Sequence, residues 1–144
     1  MAMKARIKWI ENAAWVGETG SGHGLVIDGP AEIGGRNLGV RPMELILLGV
    51  GSCSAMDVIH ILKKGRQPVE DVVIELKGER VDSDPKVFTD IHLHFKVMGE
   101  GLNERQVARA VQLSAEKYCS ASIMLQASVN ITHSHEIIAV DSEN

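Results

Sequence analysis

Residues 43–65 read MELILLGVGSCSAMDVIHILKKG, and this stretch decides the fold. Almost every position from Leu45 to Leu62 is apolar, whereas a helix on a protein surface carries a single apolar stripe. The stretch therefore predicts a helix that is buried on all sides. Pro42 suits the first turn of such a helix, and the basic residues and glycine at 63–65 suit its end.

The length of this helix is close to the minimum for a membrane span, which is about 17–25 residues. However, it contains Asp57, His60 and two glycines, and ionisable side chains are costly in hydrocarbon. We therefore predict a core helix, in a protein that does not associate with a membrane.

Cys53 lies in the middle of the helix, and Asp57 and His60 follow it on the same helical face. A thiol, a carboxylate and an imidazole on one face form a candidate site. The alternative is a core thiol, with Asp57 and His60 at the rim of the helix. The stretch by itself leaves both interpretations open.

The 144-residue length is typical of one domain, residues 1–144. A net charge of −4 argues against nucleic-acid binding, which needs concentrated Lys and Arg. The N-terminus lacks the pattern of a secretion signal, so we expect a cytoplasmic protein. In that compartment the two cysteines are either buried thiols or a redox pair, rather than a structural disulfide.

The flanking sequence predicts strands on both sides of the helix. Residues 5–9 alternate and predict a strand that buries Ala5, Ile7 and Trp9. Strands are also predicted at 14–16 and 25–28, with a glycine-rich turn at 17–24 between them. Alternation at 72–77 and 87–97 predicts a long hairpin, whose second strand buries the set Val87, Thr89, Ile91, Leu93, Phe95 and Val97.

A second helix is predicted after Asn103, which with Gln106 resembles a capping box. Its predicted apolar face consists of Val107, Ala110, Val111, Ser114 and Tyr118. The helix reaches Cys119, and a short helical segment is predicted to follow. A last strand is expected at 129–138 and a loose tail at 141–144.

Together these elements predict an α+β fold with antiparallel sheets around long central helices. The central helix needs cover on every side, and one small sheet does not supply it. We therefore expect an intertwined homodimer.

The histidines offer a separate hypothesis, a metal site. His92 and His94 share one strand face, and so do His133 and His135. If the two strands were neighbours, four imidazoles could converge on a transition metal. The face of His92 also carries charged residues and is typical of a solvated surface, so we predict no metal and no cofactor.

Cys53 and Cys119 are the second candidate pair, on helices that are predicted to pack together. A thiol is a nucleophile only as a thiolate, which needs a cation or a base nearby. Arg36 and Arg41, in the loop before the central helix, are candidate cations, and Glu44 is placed to hold such an arginine.

Three motifs resemble the OsmC/Ohr family of thiol peroxidases. The segment PMELILLGVGSCSAMDV at 42–58 is similar to the family's Pro-Glu-x-Leu run and the helix that carries its first cysteine. PAEIGG at 30–35 is similar to an upstream family segment, and KYCSAS at 117–122 is similar to the segment of the second cysteine. The SCSAMDV form looks more like the broad OsmC-like branch than like a true Ohr.

The resemblance implies an intertwined homodimer that reduces organic hydroperoxides. It implies that Cys53 is the peroxidatic thiolate and that Cys119 resolves its sulfenic acid as a disulfide. It also implies a dithiol reductant, which is a lipoylated protein in the Ohr branch.

The family's supporting arginine and glutamate are assigned less directly. The turn at 19–24, TGSGHG, lacks the Ohr arginine, so Arg36 or Arg41 would replace it, and Arg41 is preferred. Glu44 is the nearest match to the family glutamate. The alternative function is a binding protein of the same fold, which holds a small ligand in an apolar pocket at the dimer interface and performs no redox chemistry.

Overall fold

The structure is a computed structural model, and it describes residues 2–140; the tail at 141–144, expected to be loose, lies outside the described residues. The chain divides into two compact units, one that ends at Ile46 and one that begins at Leu47. Its helices and strands are β1 (Ala5–Glu11), β2 (Ala14–Thr19), β3 (Gly24–Ile27), α1 (Pro42–Lys64), β4 (Asp71–Arg80), β5 (Phe88–Met98), α2 (Glu104–Leu113), α3 (Ser120–Leu125) and β6 (Asn130–Ile138).

The first unit is built on an antiparallel meander in the order β1-β2-β3. The three strands were predicted, but β2 extends to Thr19, so the glycine-rich turn is shorter than predicted. The predicted burial of Ile7 and Trp9 is wrong, because both side chains are about half exposed. β1 is an edge strand, and every one of its residues is exposed despite the alternating sequence.

Steric restrictions explain why residues 34 and 35 of the PAEIGG segment are glycines. Ala31–Ile33 form one turn of 3-10 helix, which ends at Gly34 in the left-handed conformation, with a φ of 91°. A Cβ atom on Gly35 would overlap the carbonyl group of Gly29. Larger residues at these two positions would therefore strain the turn or force the chain apart.

The loop between β3 and α1 is held by the buried carboxylate of Asp28. It accepts the backbone N–H groups of Gly29 at 2.8 Å and of Arg36 and Leu38 at 3.1 Å. The hydrogen bond from Leu38, with those from Arg36 and Gly29, holds the pKa of Asp28 below its ordinary value against the effect of burial. The loop that carries the two candidate arginines is therefore ordered.

The second unit contains a sheet in the order β4-β5-β6. β4 and β5 form the predicted antiparallel hairpin, whereas β6 runs parallel to β5. The prediction of antiparallel sheets is therefore wrong for this last strand. The chain between β5 and β6 contains α2 and α3, and such a helical crossover is what allows a parallel pair.

The inward face of β5 forms the centre of the second unit. Its fully buried residues are Ile91, Leu93, Phe95 and Val97. Val87 was assigned to this face but is half exposed, while Phe88 is buried. The register shifts between Glu79 and Arg80, which pair with Asp90 and Phe88. Thr89 is the extra residue of this bulge, and one extra residue exchanges the two faces of a strand.

One face of α1 packs in the second unit. Val50, Ser54, Val58 and Leu62 are buried at intervals of one helical turn. The other face is open, since Leu48 is 56% and Met56 is 71% exposed. The predicted burial on all sides is therefore not achieved by a single chain. The homodimer that would cover this face stays a prediction.

Helix α1 also has the length and composition of a membrane span, with a mean hydropathy of 1.9 over its window of 18 residues. A core helix of a soluble protein has the same features. The cytoplasmic location stays a prediction.

Helix α2 begins as predicted, because the side chain of Asn103 accepts the N–H of Gln106 at 3.1 Å. Val107, Ala110, Val111 and Ser114 of its predicted face are buried. Tyr118 is half exposed, so its assignment to this face is wrong. Residues Ser114–Tyr118 form a π-helical turn, and its wider spacing rotates Tyr118 away from the face.

Candidate active site

The two cysteines are free thiols in different surroundings. Cys53 lies in the middle of α1 and is partly exposed. Cys119 lies between the π-helical turn and α3, and it is fully buried. The two residues are distant in sequence, so only the packing of these segments brings them together.

The sulfur atoms of Cys53 and Cys119 and a carboxylate oxygen of Asp57 all lie within 4.8 Å of one another. The two cysteines, whose separation the sequence left open, are therefore close in space in the second unit. Asp57 belongs to the face that the sequence singled out with Cys53, and its closeness to Cys119 was not predicted. His60, the third member of that face, is exposed.

Buried hydroxyl groups connect α1 with the π-helical turn. The Oγ atoms of Ser54 and Ser114 are hydrogen-bonded at 2.8 Å, and both residues are fully buried. Ser114 Oγ also lies 3.3 Å from Asp57 Oδ2, to which it can donate. Ser114 was predicted only as part of a packing face. The sequence signal for its role is that Ser114 is a polar residue on the otherwise apolar face of the second helix.

Cys119 serves as the N-cap of α3. Its backbone is extended, with φ of −74° and ψ of 102°, and its sulfur accepts the N–H of Ser122 at 3.4 Å. Burial raises the pKa of the Cys119 thiol, hydrogen bonds from Ser122 oppose this rise, and the neighbouring Cys53 adds to it. Burial therefore disfavours the thiolate form of Cys119.

Glu44 and Arg41 are placed at the start of α1. Glu44 Oε1 accepts the backbone N–H of Arg41 at 2.8 Å, which is the hydrogen bond of a helix cap. Glu44 thus contacts the backbone of Arg41 rather than its guanidinium group. The guanidinium group of Arg41 donates to Asn37 Oδ1 at 3.3 Å and to the carbonyl oxygen of Gly39 at 3.2 Å.

Arg36, the other candidate cation, forms an ion pair in the first unit. Its guanidinium group lies 2.9 Å from Glu11 Oε1 on the surface. Arg36 and Arg41 differ in this respect, since Arg41 has no carboxylate partner among the ion pairs of residues 2–140. The catalytic roles of Arg41 and Glu44 stay predictions.

The hypothesis of four converging imidazoles is wrong. In the parallel pair of β5 and β6, His94 lies opposite Ser134. The hydroxyl of Ser134 is shared by His92 Nε2 and His94 Nδ1, at 2.7 Å from each. His133 and His135 flank Ser134 in sequence, so they point to the opposite face of the sheet.

A cavity of about 610 Å³ lies beside Asp57, and Cys53 and Cys119 are not among the residues that line it. It is lined by Asp57, His60, Ile61, Lys64, Gly65, Arg109, Leu113 and Tyr118. The lining therefore combines apolar side chains with cations. The cavity reaches the carboxylate that lies beside both sulfur atoms.

A family model described as OsmC-like protein matches residues 34–134, which include both cysteines. The chain belongs to this OsmC-like family. The sequence resemblance is thereby confirmed.

Two similar proteins match almost the whole chain. The chain is 49% identical over 137 residues to Protein YhfA of Escherichia coli (strain K12), a match that covers 95% of this chain and 99% of the relative. A hypothetical protein from Aquifex aeolicus VF5 is 34% identical, with a TM-score of 0.86 and coverage of 98% and 99% of the two chains.

A more distant structure shows the fold alone. The organic hydroperoxide resistance protein OsmC from Legionella pneumophila is 22% identical, with a TM-score of 0.72 and coverage of 94% and 97%. The α+β fold class that the sequence predicted is therefore the fold of the OsmC-like proteins.

Proposed function

We propose that this OsmC-like protein reduces organic hydroperoxides with a cysteine pair. Cys53 would be the peroxidatic residue and Cys119 the resolving residue. The observation that most supports this proposal is the approach of their free sulfur atoms to within 4.8 Å. A disulfide needs sulfur atoms about 2.05 Å apart, so the thiols need to close a short gap.

The difference in burial supports this division of roles. A peroxide arrives from solvent, and Cys53 is the partly exposed thiol. Cys119 is fully buried and reaches only what is already bound within the site. A resolving thiol needs to reach the oxidised sulfur of Cys53 and no other partner.

The proposed reaction has three balanced steps. The Cys53 thiolate attacks the terminal oxygen of the hydroperoxide, and the O–O bond breaks. Cys53 becomes a sulfenic acid, and the alkoxide leaves and takes up a proton to give the alcohol. The Cys119 sulfur then attacks the Cys53 sulfur, a disulfide forms and water leaves. Finally, an external dithiol reduces the disulfide and is itself oxidised to a disulfide. A lipoylated protein would fill this last role by resemblance to the Ohr branch.

The cavity supports an organic substrate. Ile61, Leu113 and Tyr118 give its wall apolar surface that can hold an alkyl group. Hydrogen peroxide has no alkyl group and would gain nothing from this surface. We therefore expect a higher kcat/KM for an alkyl hydroperoxide than for hydrogen peroxide.

The proposal is tested by turnover of cumene hydroperoxide with dihydrolipoamide as the reductant. Cys53→Ser is expected to abolish turnover, and Cys119→Ser is expected to stop at a sulfenic acid, an increase of about 16 Da. Ser52→Ala, an exposed neighbour on α1, serves as the control. Unchanged turnover in Cys53→Ser would rule out the assignment.

Arg41 is proposed as the cation that supports the Cys53 thiolate, with Glu44 fixing the start of the helix that carries Cys53. Arg41→Gln is expected to lower kcat/KM by about tenfold or more, since a thiolate loses its stabilising charge. Arg36→Gln removes an exposed ion pair with Glu11 and is expected to change kcat/KM little. Equal effects of the two substitutions would contradict the role of Arg41.

The second candidate function is binding of a small ligand without redox chemistry, and the 610 Å³ cavity favours it. Mass spectrometry of protein treated with peroxide separates the two functions. A loss of about 2 Da, assigned to a Cys53–Cys119 disulfide, supports the peroxidase. Two thiols that remain reduced support the binding protein.

A further inference from the structure

The cysteine pair and Asp57 have the arrangement of a metal site as well as of a redox centre. Cys53 and Asp57 are four residues apart on α1, which places both on one face of the helix. Cys119 is brought to that face from the segment before α3. Two sulfurs and one carboxylate oxygen then lie within 4.8 Å of one another. We propose that the reduced protein binds Zn²⁺ through Cys53 Sγ, Cys119 Sγ and a carboxylate oxygen of Asp57.

The ligand types favour zinc over magnesium or calcium. Thiolates bind zinc strongly, whereas magnesium and calcium prefer oxygen ligands only. Zinc–sulfur bonds are about 2.3 Å long, which places two sulfurs of a tetrahedral site about 3.8 Å apart. The three donor atoms therefore need to move by about an ångström or less.

The surroundings of the donors restrict their movement. Ser114 lies within hydrogen-bond distance of Asp57 Oδ2, and Ser122 donates its N–H to Cys119 Sγ. Such outer contacts orient the ligands of a metal site. With three protein ligands, a fourth position remains for water, an arrangement that is found in catalytic rather than structural zinc sites.

Zinc binding and disulfide formation exclude each other. As each zinc–sulfur bond forms, the thiol gives its proton to the buffer, and no electron is transferred. A disulfide has no thiolate to offer, so the oxidised protein loses two of the three ligands. This inference does not depend on peroxidase activity, because it needs only the reduced thiols and Asp57.

The test uses the reduced full-length protein and Zn²⁺ alone, in competition with a chromophoric chelator. We expect one Zn²⁺ per chain, and no binding after oxidation to the disulfide. With Co²⁺ as the probe, near-ultraviolet absorption from sulfur-to-cobalt charge transfer is expected, and it should weaken in Cys53→Ser. Absence of stoichiometric zinc in the reduced protein would overturn the proposal.

Asp57→Asn is the variant that separates a three-ligand site from two thiols that bind zinc by themselves. It keeps the shape of the side chain and is expected to weaken zinc binding by at least about 10-fold, since the loss of an outer contact alone typically costs about 10- to 100-fold. Asp71→Asn, an exposed carboxylate at the start of β4, is the control and should bind zinc like the wild type. Equal affinity in Asp57→Asn and Asp71→Asn would overturn the proposal.

Two further outcomes keep this inference distinct from the proposed function. Should Asp57→Asn fail to fold, the cobalt spectrum of Cys53→Ser decides, since Cys53 is partly exposed and its replacement is mild. A band that is unchanged in Cys53→Ser would overturn the site. A protein that binds zinc as expected but consumes no hydroperoxide would contradict the peroxidase proposal and leave the zinc site in place.

Discussion

At the scale of single residues, the buried pair of Ser54 and Ser114 holds α1 against the segment that leads to Cys119. Ser114→Ala would leave the hydroxyl of Ser54 buried without its partner and take a donor from Asp57. We expect the free energy of unfolding to fall by about 1–3 kcal/mol in urea denaturation. Ser52→Ala, on the exposed face of α1, should change it little.

A double variant distinguishes a hydrogen bond from a packing effect. Each single alanine substitution, Ser54→Ala or Ser114→Ala, breaks the hydrogen bond between the two hydroxyl groups. In the double variant neither hydroxyl remains, so its loss of stability should be smaller than the sum of the single losses. Strict additivity would contradict this account of the pair.

His133 makes stability depend on pH. Its ring stacks on Phe95 with 6.1 Å between centroids. Burial, with a smaller contribution from the charge of His92, lowers the pKa of His133 below the ordinary value of 6.5. Below pH 6.5 the unfolded chain therefore takes up a proton that the folded chain resists. The contribution of His133 to the free energy of unfolding is complete above pH 6.5. It is lost as the pH falls through the lowered pKa of His133 in the folded protein.

We therefore expect the urea midpoint to decrease between pH 7.5 and pH 5.5, with a smaller decrease in His133→Gln. The matched control is His60→Gln, which replaces an exposed histidine on α1 and should retain the wild-type decrease. The same decrease in His133→Gln as in the wild type would show that another group titrates.

At the scale of elements, helix α3 begins after Cys119 with a backbone that would accept a proline. Ser120 is the first residue of α3, a position where proline is favoured. Cys119 already has the extended backbone that a following proline requires. A proline in place of Ser120 would therefore leave the geometry of the helix start intact.

Ser120→Pro is expected to keep stability unchanged or to raise it by up to about 1 kcal/mol, because it restricts the unfolded chain. Ile123→Pro is the contrasting variant, since the N–H of Ile123 donates to the carbonyl oxygen of Cys119 at 3.0 Å. The free energy of unfolding of Ile123→Pro should fall by about 3 kcal/mol. Thermal unfolding of both variants measures the difference. A large loss of stability in Ser120→Pro would show that the start of α3 does not accept a proline.

At the scale of the whole molecule, the open face of α1 predicts a homodimer. Leu48 and Met56 expose large apolar side chains two helical turns apart, and such a stripe is unfavourable in water. A second copy of the chain could cover it, as the family resemblance implies. Met56→Glu would then place a charge in the interface and convert the dimer to a monomer.

Light scattering after size-exclusion chromatography over a range of concentrations measures this change. Lys63→Glu, at the exposed end of the same helix, is the control and should remain dimeric. A wild-type protein that is monomeric at every concentration would contradict the prediction.

The sequence by itself determined the elements, their order and the family. Periods of two predict strands, long apolar runs predict buried helices, and capping residues such as Asn103 mark helix starts; all of these are local signals. The motifs around Cys53 and Cys119 are likewise local, and they were sufficient to place the chain in the OsmC-like family before any geometry was known.

Only the tertiary structure decided how distant segments meet. The parallel course of β6 depends on the crossover that precedes it. The burial of Phe88 in place of Val87 depends on a bulge, and the outward turn of Tyr118 depends on a π-helical turn. The approach of Asp57 to Cys119 follows from the packing of these segments. Inserted residues, strand register and long-range contacts leave no periodic signal in a sequence, because their energy comes from partners that are far away along the chain.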